Sequence, residues 1–181
     1  MEKVIFIDRD GVINVDPIGD YIKRWEDFRF EEGAIEGLQI LSKAGYEIIV
    51  ISNQAGVGDG VYPLSELQRI NQNMIDVFRK NKIRFRSSHY CHHGKKAGCK
   101  CRKPEIGLFL EATKGLEFDK KAAYFVGDKI SDMTAGKRFG IKTAFVLTGH
   151  GSLELSALKK ESSQPDLICN SLKHAAEAIT A

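Results

Sequence analysis

Hydrophobic positions along this chain alternate between short unbroken apolar runs and longer stretches with a helical repeat. The run at 4–7 is closed at once by Asp8-Arg9-Asp10-Gly11, which predicts a buried strand feeding a tight turn. Residues 12–30 have no clean period and predict a long loop, with a small flap around Tyr21 and Trp25. Ile35, Leu38 and Leu41 repeat within 31–44 and Gly45 follows, the pattern of an amphipathic helix with a glycine stop. A second apolar run at 47–51 predicts another buried strand, ending in Ser52-Asn53-Gln54. Pro63 opens a helical stretch to residue 80, with Leu67, Ile70, Met74 and Phe78 on one face.

Beyond it, 87–90 predicts a strand that leads into a cysteine cluster, and Pro104 starts a helix running to residue 114. The segment 122–126 predicts a strand closed by Gly127-Asp128, with Ser131 as the cap of the next helix. Strands at 142–147 and 166–168 and a helix from Leu172 complete the chain. Strands alternating with helices imply an α/β class, a Rossmann-like parallel sheet covered by helices on both faces. No internal repeat, low-complexity tract or linker divides the sequence, so residues 1–181 are expected to form one domain without a large cap domain.

Composition changes this picture little. With 43% hydrophobic and 28% charged residues the chain has the balance of an ordinary globular protein. A net charge of +3, with Lys and Arg dispersed and no basic stripe interleaved with aromatics, argues against a nucleic-acid partner. No apolar stretch approaches membrane length, and the run at 4–7 is too short for a signal peptide, so a cytoplasmic protein with no membrane partner is expected.

The candidate chemistry lies at the C-terminal ends of successive predicted strands: Asp8 and Asp10, then Ser52 and Asn53, then Asp128. In an open parallel sheet that edge is where ligands bind. Three acids converging there need a cation, because otherwise like-charge repulsion would protonate some of them. Oxygen ligands of this kind suit Mg2+, which also takes an oxygen from a bound phosphate. With Lys103 and the Ser52 hydroxyl, the set meets the needs of phosphoryl transfer: a carboxylate nucleophile, a second carboxylate as general acid and base, and cations on the phosphoryl oxygens.

These residues resemble the haloacid dehalogenase-like phosphatases. Asp8-Arg9-Asp10-Gly11-Val12 is similar to that superfamily's first motif, Ser52 to its second, Lys103 to its third, and Gly127-Asp128-Lys129-Ile130-Ser131-Asp132 to its acidic fourth. The resemblance implies Asp8 as nucleophile and Asp10 as general acid/base. It also implies that Asp8, the backbone carbonyl of Asp10, and Asp128 hold magnesium. Taken singly, Asp8 and Asp10 could be turn formers and Asp128 a helix-start acid. Asp132 reads as an acid in the first turn of a helix, orienting Lys103 or a metal water.

Four cysteines are clustered unlike a disulfide framework: Cys91, Cys99 and Cys101 fall together and Cys169 stands apart. Cys91-His92-His93 and Cys99-Lys100-Cys101 offer zinc four ligands, Cys91, His93, Cys99 and Cys101, and a fully protein-ligated tetrahedral site is normally structural. His92 is the rival to His93, and a reactive cluster without metal is the competing reading. Cys169, among apolar neighbours, reads as a small buried hydrophobe. The zinc loop runs directly into Arg102-Lys103-Pro104, so the ion would fix the direction of both side chains.

The Cys-x-His…Cys-x-Cys-Arg-Lys-Pro pattern narrows the resemblance to the subfamily of the heptose bisphosphate and histidinol-phosphate phosphatases. Asn14-Val15-Asp16, Ser52-Asn53-Gln54 and Val126-Gly127-Asp128-Lys129 extend that likeness. It implies substrate contacts for Arg102, Asn53 and Gln54 and a small phosphorylated metabolite as partner. Gly58-Asp59-Gly60 departs from the Arg-Gly common in the heptose enzymes. Arg102, Lys23 and Arg24 would favour an anionic sugar bisphosphate; Asp16, Asp20 and Asp59 would favour the ammonium of histidinol phosphate. The resemblance around Asn14 to Asp16 leans toward the heptose enzymes. A zinc-stabilised binding module without turnover is the reading from another class.

Overall fold

The computed structural model describes residues 2–161 and 164–181. Its centre is a six-stranded, wholly parallel sheet in the order β3-β2-β1-β4-β5-β6. The strands are β1 (Val4–Ile7), β2 (Glu47–Asn53), β3 (Phe85–Cys91), β4 (Tyr124–Gly127), β5 (Lys142–Val146) and β6 (Leu167–Cys169). The helices are α1 (Ala34–Lys43), α2 (Ala55–Gly58), α3 (Leu64–Lys80), α4 (Gly107–Ala112), α5 (Ile130–Phe139), α6 (Gly151–Leu158) and α7 (Leu172–Thr180).

The apolar runs behave as strands buried on both faces should, with successive side chains pointing to opposite layers. Ile5, Ile7, Ile48 and Val50 join Leu38, Ile70, Met74, Phe78 and Ala175 in one core layer, under α1, α3 and α7. Val4, Phe6, Ile49 and Ile51 join Leu108, Phe109, Ala135 and Phe139 in the other, under α4 and α5. Helices α1, α3, α4, α5 and α7 therefore bury apolar side chains against the sheet, and the two layers stabilise the fold chiefly by removing those side chains from water.

Chain order reverses between β1 and β4, the neighbours from which the sheet grows in opposite directions. Such a switch point leaves a crevice at the strands' C-terminal ends. The Asp8 N–H continues the ladder to the Val126 carbonyl at 2.9 Å, setting Asp8 beside the end of β4. Among the described residues, neither long segment over that edge, 8–33 or 92–106, holds an element longer than the 3-10 turn Trp25–Asp27.

Two local expectations are corrected. Ser131 does not cap α5: the Lys129 N–H donates to Asp132 Oδ2 at 3.0 Å and the Ile130 N–H to Glu154 Oε2 at 2.6 Å. Pro104 does not start α4, because the Glu105 N–H turns back to the Arg102 carbonyl at 2.8 Å and the helix begins at Gly107. Helices α2 and α6 were not expected from the hydrophobic pattern.

Candidate active site

Asp8 lies just beyond β1 and is 4% exposed. Its Oδ1 accepts the Arg9 N–H at 2.8 Å and lies 2.9 Å from Lys103 Nζ. Lys103 is equally buried; its ammonium also lies 2.7 Å from Asp132 Oδ1 and donates to the Ile51 carbonyl at 3.0 Å. Burial alone would lower the Lys103 pKa, but Asp132 and Asp8 hold it above the ordinary lysine value. The lysine is thus a fixed positive charge, gripped by two acids from different strand ends.

Asp10 is held differently. Its carboxylate accepts from Arg9 Nε and Nη2 at 3.1 Å each, from Asn14 Nδ2 at 2.9 Å and from Gln54 Nε2 at 2.6 Å. Burial opposes its charge, yet Arg9 and the donors from Asn14 and Gln54 bring its pKa below the ordinary aspartate value. Without substrate Asp10 is therefore an ionised, oriented base, and a phosphate dianion beside it would raise its proton affinity. Gln54 is buried behind it, accepting from Arg9 Nη2 at 2.9 Å and donating to Ser52 Oγ at 3.1 Å.

Asp128, fully buried at the end of β4, accepts the His150 N–H at 2.7 Å. Glycines let the chain close over it: a Cβ at either Gly11 or Gly149 would overlap the Asp128 carboxylate. Both glycines also have positive φ, +85° and +54°, which favours a residue without a side chain. Burial, and then the charges of Asp132 and Asp8, push Asp128 well above the ordinary carboxylate range against the pull of Lys129. Lys129 Nζ lies 3.2 Å from Asp16 Oδ2 and 3.4 Å from Asp128 Oδ1, and His150 Nε2 lies 3.1 Å from Asp16.

Asp8, Asp128 and Asp132 bring carboxylate oxygens within 4.8 Å of one another. Asp8, Asp10, Asp16, Asp128 and Asp132 are ion-paired with only three permanent cations, Arg9, Lys103 and Lys129, among the described residues. The deficit matches the charge of a divalent ion, and an all-oxygen donor set fits magnesium. Lys103 is shared by Asp8 and Asp132, and Lys129 by Asp16 and Asp128, so each lysine faces two carboxylates.

The second cluster is equally definite. Cys91 Sγ lies 3.5 Å from Cys99 Sγ, 3.2 Å from Cys101 Sγ and 3.7 Å from His93 Nδ1. Tetrahedral zinc with Zn–S bonds of about 2.3 Å needs edges slightly under about 4 Å, so the four atoms fit one ion. Burial, then Cys91 and Cys99, push the Cys101 thiol up to about 12, a cost that zinc coordination would remove. His92 is exposed and stacks on His93 with ring centroids 5.1 Å apart.

The active-site cavity, about 450 Å3, is lined by Asp8, Asp10, Ser52, Asn53, Arg102, Lys103 and Asp132, and also by Asp16, Tyr21, Lys95, Lys129 and His150. A family model described as HAD-hydrolase-like matches residues 100–175. The D-glycero-beta-D-manno-heptose-1,7-bisphosphate 7-phosphatase of Helicobacter pylori is 34% identical over 80% of this chain and 83% of its own length. The chain belongs to the haloacid dehalogenase-like phosphatases.

This phosphatase also matches a solved D,D-heptose 1,7-bisphosphate phosphatase from B. bronchiseptica, complexed with magnesium and phosphate. The TM-score is 0.90 at 26% identity, covering 98% of this chain and 97% of that one. The histidine biosynthesis bifunctional protein HisB of Campylobacter jejuni is 33% identical over 78% of this chain but only 40% of its own length.

The residues expected at the phosphatase site gather at the same strand edge; Asn53 lines the cavity, whereas Gln54 and the fully buried Asp128 are outside its lining. Gln54 meets Asp10 rather than the cavity, and the Asn53 amide is taken up by the backbone of Lys103. Of the expected charged residues, Lys23 pairs with Asp20 at 2.8 Å and Arg24 with Asp27 at 2.9 Å. Sequence reasoning missed Asp16 and His150 as a linked pair, Lys95, and the Thr148-Gly149 turn that closes on Gly11. That turn follows β5, so its position at a strand end was the available signal.

Proposed function

We propose that this phosphatase removes one phosphate from D-glycero-D-manno-heptose 1,7-bisphosphate, at the 7-position, through a phosphoryl-aspartate on Asp8. The observation that carries the mechanism is the pairing of a buried, lysine-held carboxylate, Asp8, with a separately anchored one, Asp10. An Asp8 oxygen attacks phosphorus as the bond to the leaving alkoxide breaks, and Asp10 delivers a proton to that oxygen. In the second half, water attacks the phosphoryl-aspartate, Asp10 takes its proton, and the P–O bond to Asp8 breaks to release phosphate and restore the carboxylate. Lys103, the Ser52 hydroxyl and backbone N–H groups hold the phosphoryl oxygens.

Asp8, the backbone carbonyl of Asp10, and Asp128 would hold Mg2+, whose contribution is to neutralise phosphate charge near the reacting atoms. Zn2+ on Cys91, His93, Cys99 and Cys101 does no chemistry; it shapes the loop that carries Arg102 and Lys103. The cytoplasm, where phosphorylated metabolites and reduced thiols coexist, is the setting that suits this reading.

The sugar bisphosphate is favoured over histidinol phosphate by the fate of the acids that an ammonium would need. Asp16 is paired with Lys129, Asp20 with Lys23, and Asp59 accepts a backbone N–H. Comparing kcat/KM for heptose 1,7-bisphosphate and histidinol phosphate tests the choice. A tenfold preference for histidinol phosphate, about 1.4 kcal/mol of discrimination, would overturn the substrate while leaving the phosphatase chemistry standing.

A further inference from the structure

The cavity is electrically divided. The strand ends contribute Asp8, Asp10 and Asp132 to its lining, the segment 95–102 contributes Lys95 and Arg102, and the further acid Asp20 is paired with Lys23. Neither Lys95 nor Arg102 has an ion-pair partner among the described residues, and Arg102 Nη1 is buried without a hydrogen-bond acceptor. A buried guanidinium donor left unpaired is costly and marks a place where an anion is wanted. Lys95 reaches the lining from the zinc loop, its Nζ 5.7 Å from the ring centroid of Tyr21, which also lines the cavity.

The position of Lys95 is built rather than incidental. Its backbone N–H donates to Asp59 Oδ1 at 3.2 Å, joining the zinc loop to the turn after α2. The two segments are packed without room for side chains: a Cβ on Gly58 would overlap the backbone of His92 to Gly94, and one on Gly94 would overlap Asp59. Asp59 itself is outside the cavity lining. An acid in this segment therefore does not repel an anionic substrate; it holds the loop that supplies a cation.

We infer that Lys95, held by Asp59 and acting beside Arg102, binds the phosphate that is not cleaved. This rests on the sugar-bisphosphate reading above and names the residue that enforces it. The zinc loop then has two tasks: fixing Lys103 for the reacting phosphate and presenting Lys95 to the distant one. Lysine acts there as a point charge on a flexible stem, so it can follow sugar phosphates of slightly different length.

The test is the ratio of kcat/KM for heptose 1,7-bisphosphate to that for heptose 7-phosphate, in wild type, Lys95→Ala, Lys95→Arg and Asp59→Ala. Zinc content and melting temperature are checked for each variant. Lys95→Ala should lower the ratio about tenfold, mostly through KM for the bisphosphate, as loss of one charge-assisted contact implies. Lys95→Arg should restore most of it, and Asp59→Ala should lower it in the same direction. If the wild-type ratio is high and Lys95→Ala leaves it unchanged, the Lys95 assignment is wrong and the substrate reading stands. If the wild-type enzyme is indifferent to the second phosphate, the substrate reading fails and the assignment falls with it.

Discussion

Asn53 and Lys103 are joined by a reciprocal pair of hydrogen bonds: Asn53 Nδ2 donates to the Lys103 carbonyl at 3.1 Å, and the Lys103 N–H donates to Asn53 Oδ1 at 3.0 Å. This clasp ties the end of β2 to the residue that contacts Asp8. Asn53→Ala should therefore lower kcat by roughly ten- to a hundredfold, because small misplacements of catalytic groups cost on that order. Steady-state kinetics should find KM changed much less. A pure KM effect would instead make Asn53 a substrate contact.

Gly149 tests the magnesium assignment without touching a ligand. A side chain there would displace the Asp128 carboxylate. Gly149→Ala should weaken the magnesium activation constant by about 10- to 100-fold, as disturbed outer-shell groups do elsewhere. Gly140→Ala is the control: it has a similar positive φ of +87° but open space around it, and should cost stability while leaving the magnesium constant alone.

Zinc is tested by its removal. The purified protein should contain about one zinc per chain, from four matched ligands. Cys99→Ser should reduce zinc content and melting temperature together, because a structural ion contributes folding energy. Metal analysis finding no zinc in protein purified without chelators would refute the ligand set.

Asp166 gives a pH test outside both candidate metal clusters. It accepts the Thr143 N–H at 2.7 Å and pairs with Lys137 Nζ at 2.6 Å, tying the start of β6 to β5 and α5. Burial alone would raise its pKa, but Lys137 and the Thr143 N–H lower it below the ordinary aspartate value. A depressed folded pKa means that the stabilisation is complete above the unfolded value, about 3.9, and is lost as pH falls through the folded one. Asp166→Ala should cost about 1 kcal/mol at neutral pH, kept modest by solvent screening of a half-exposed pair. Denaturant titrations should find that difference constant above about pH 5 and shrinking as pH drops below about 4.

What was legible in the sequence follows from what is local. Strands buried on both faces leave unbroken apolar runs, so β1, β2, β4 and β5 were readable directly. The cluster of Cys91, His93, Cys99 and Cys101 was readable because its members lie within one short loop. Helix α2 is too short to establish a period. Helix α6 buries Gly151 and Leu158 but exposes Leu153, so its leucines trace no face. The link of Asp16 to Lys129 and His150 joins distant parts of the chain, and Lys95 reaches the cavity only through its neighbours' packing. Nothing in the local sequence marks such contacts; the topology of the sheet creates them.

The central claim is a covalent intermediate on Asp8, and trapping it is the most direct test. Enzyme mixed with heptose 1,7-bisphosphate and magnesium is quenched in acid within one turnover, digested, and its peptides are mapped by mass spectrometry. The wild type should carry a phosphoryl group on Asp8. Asp8→Asn should carry none, remain folded with its zinc, and show no turnover, since an amide cannot serve as the nucleophile. Wild-type turnover by Asp8→Asn, or a phosphoryl group found on another residue in the wild type, would contradict the account.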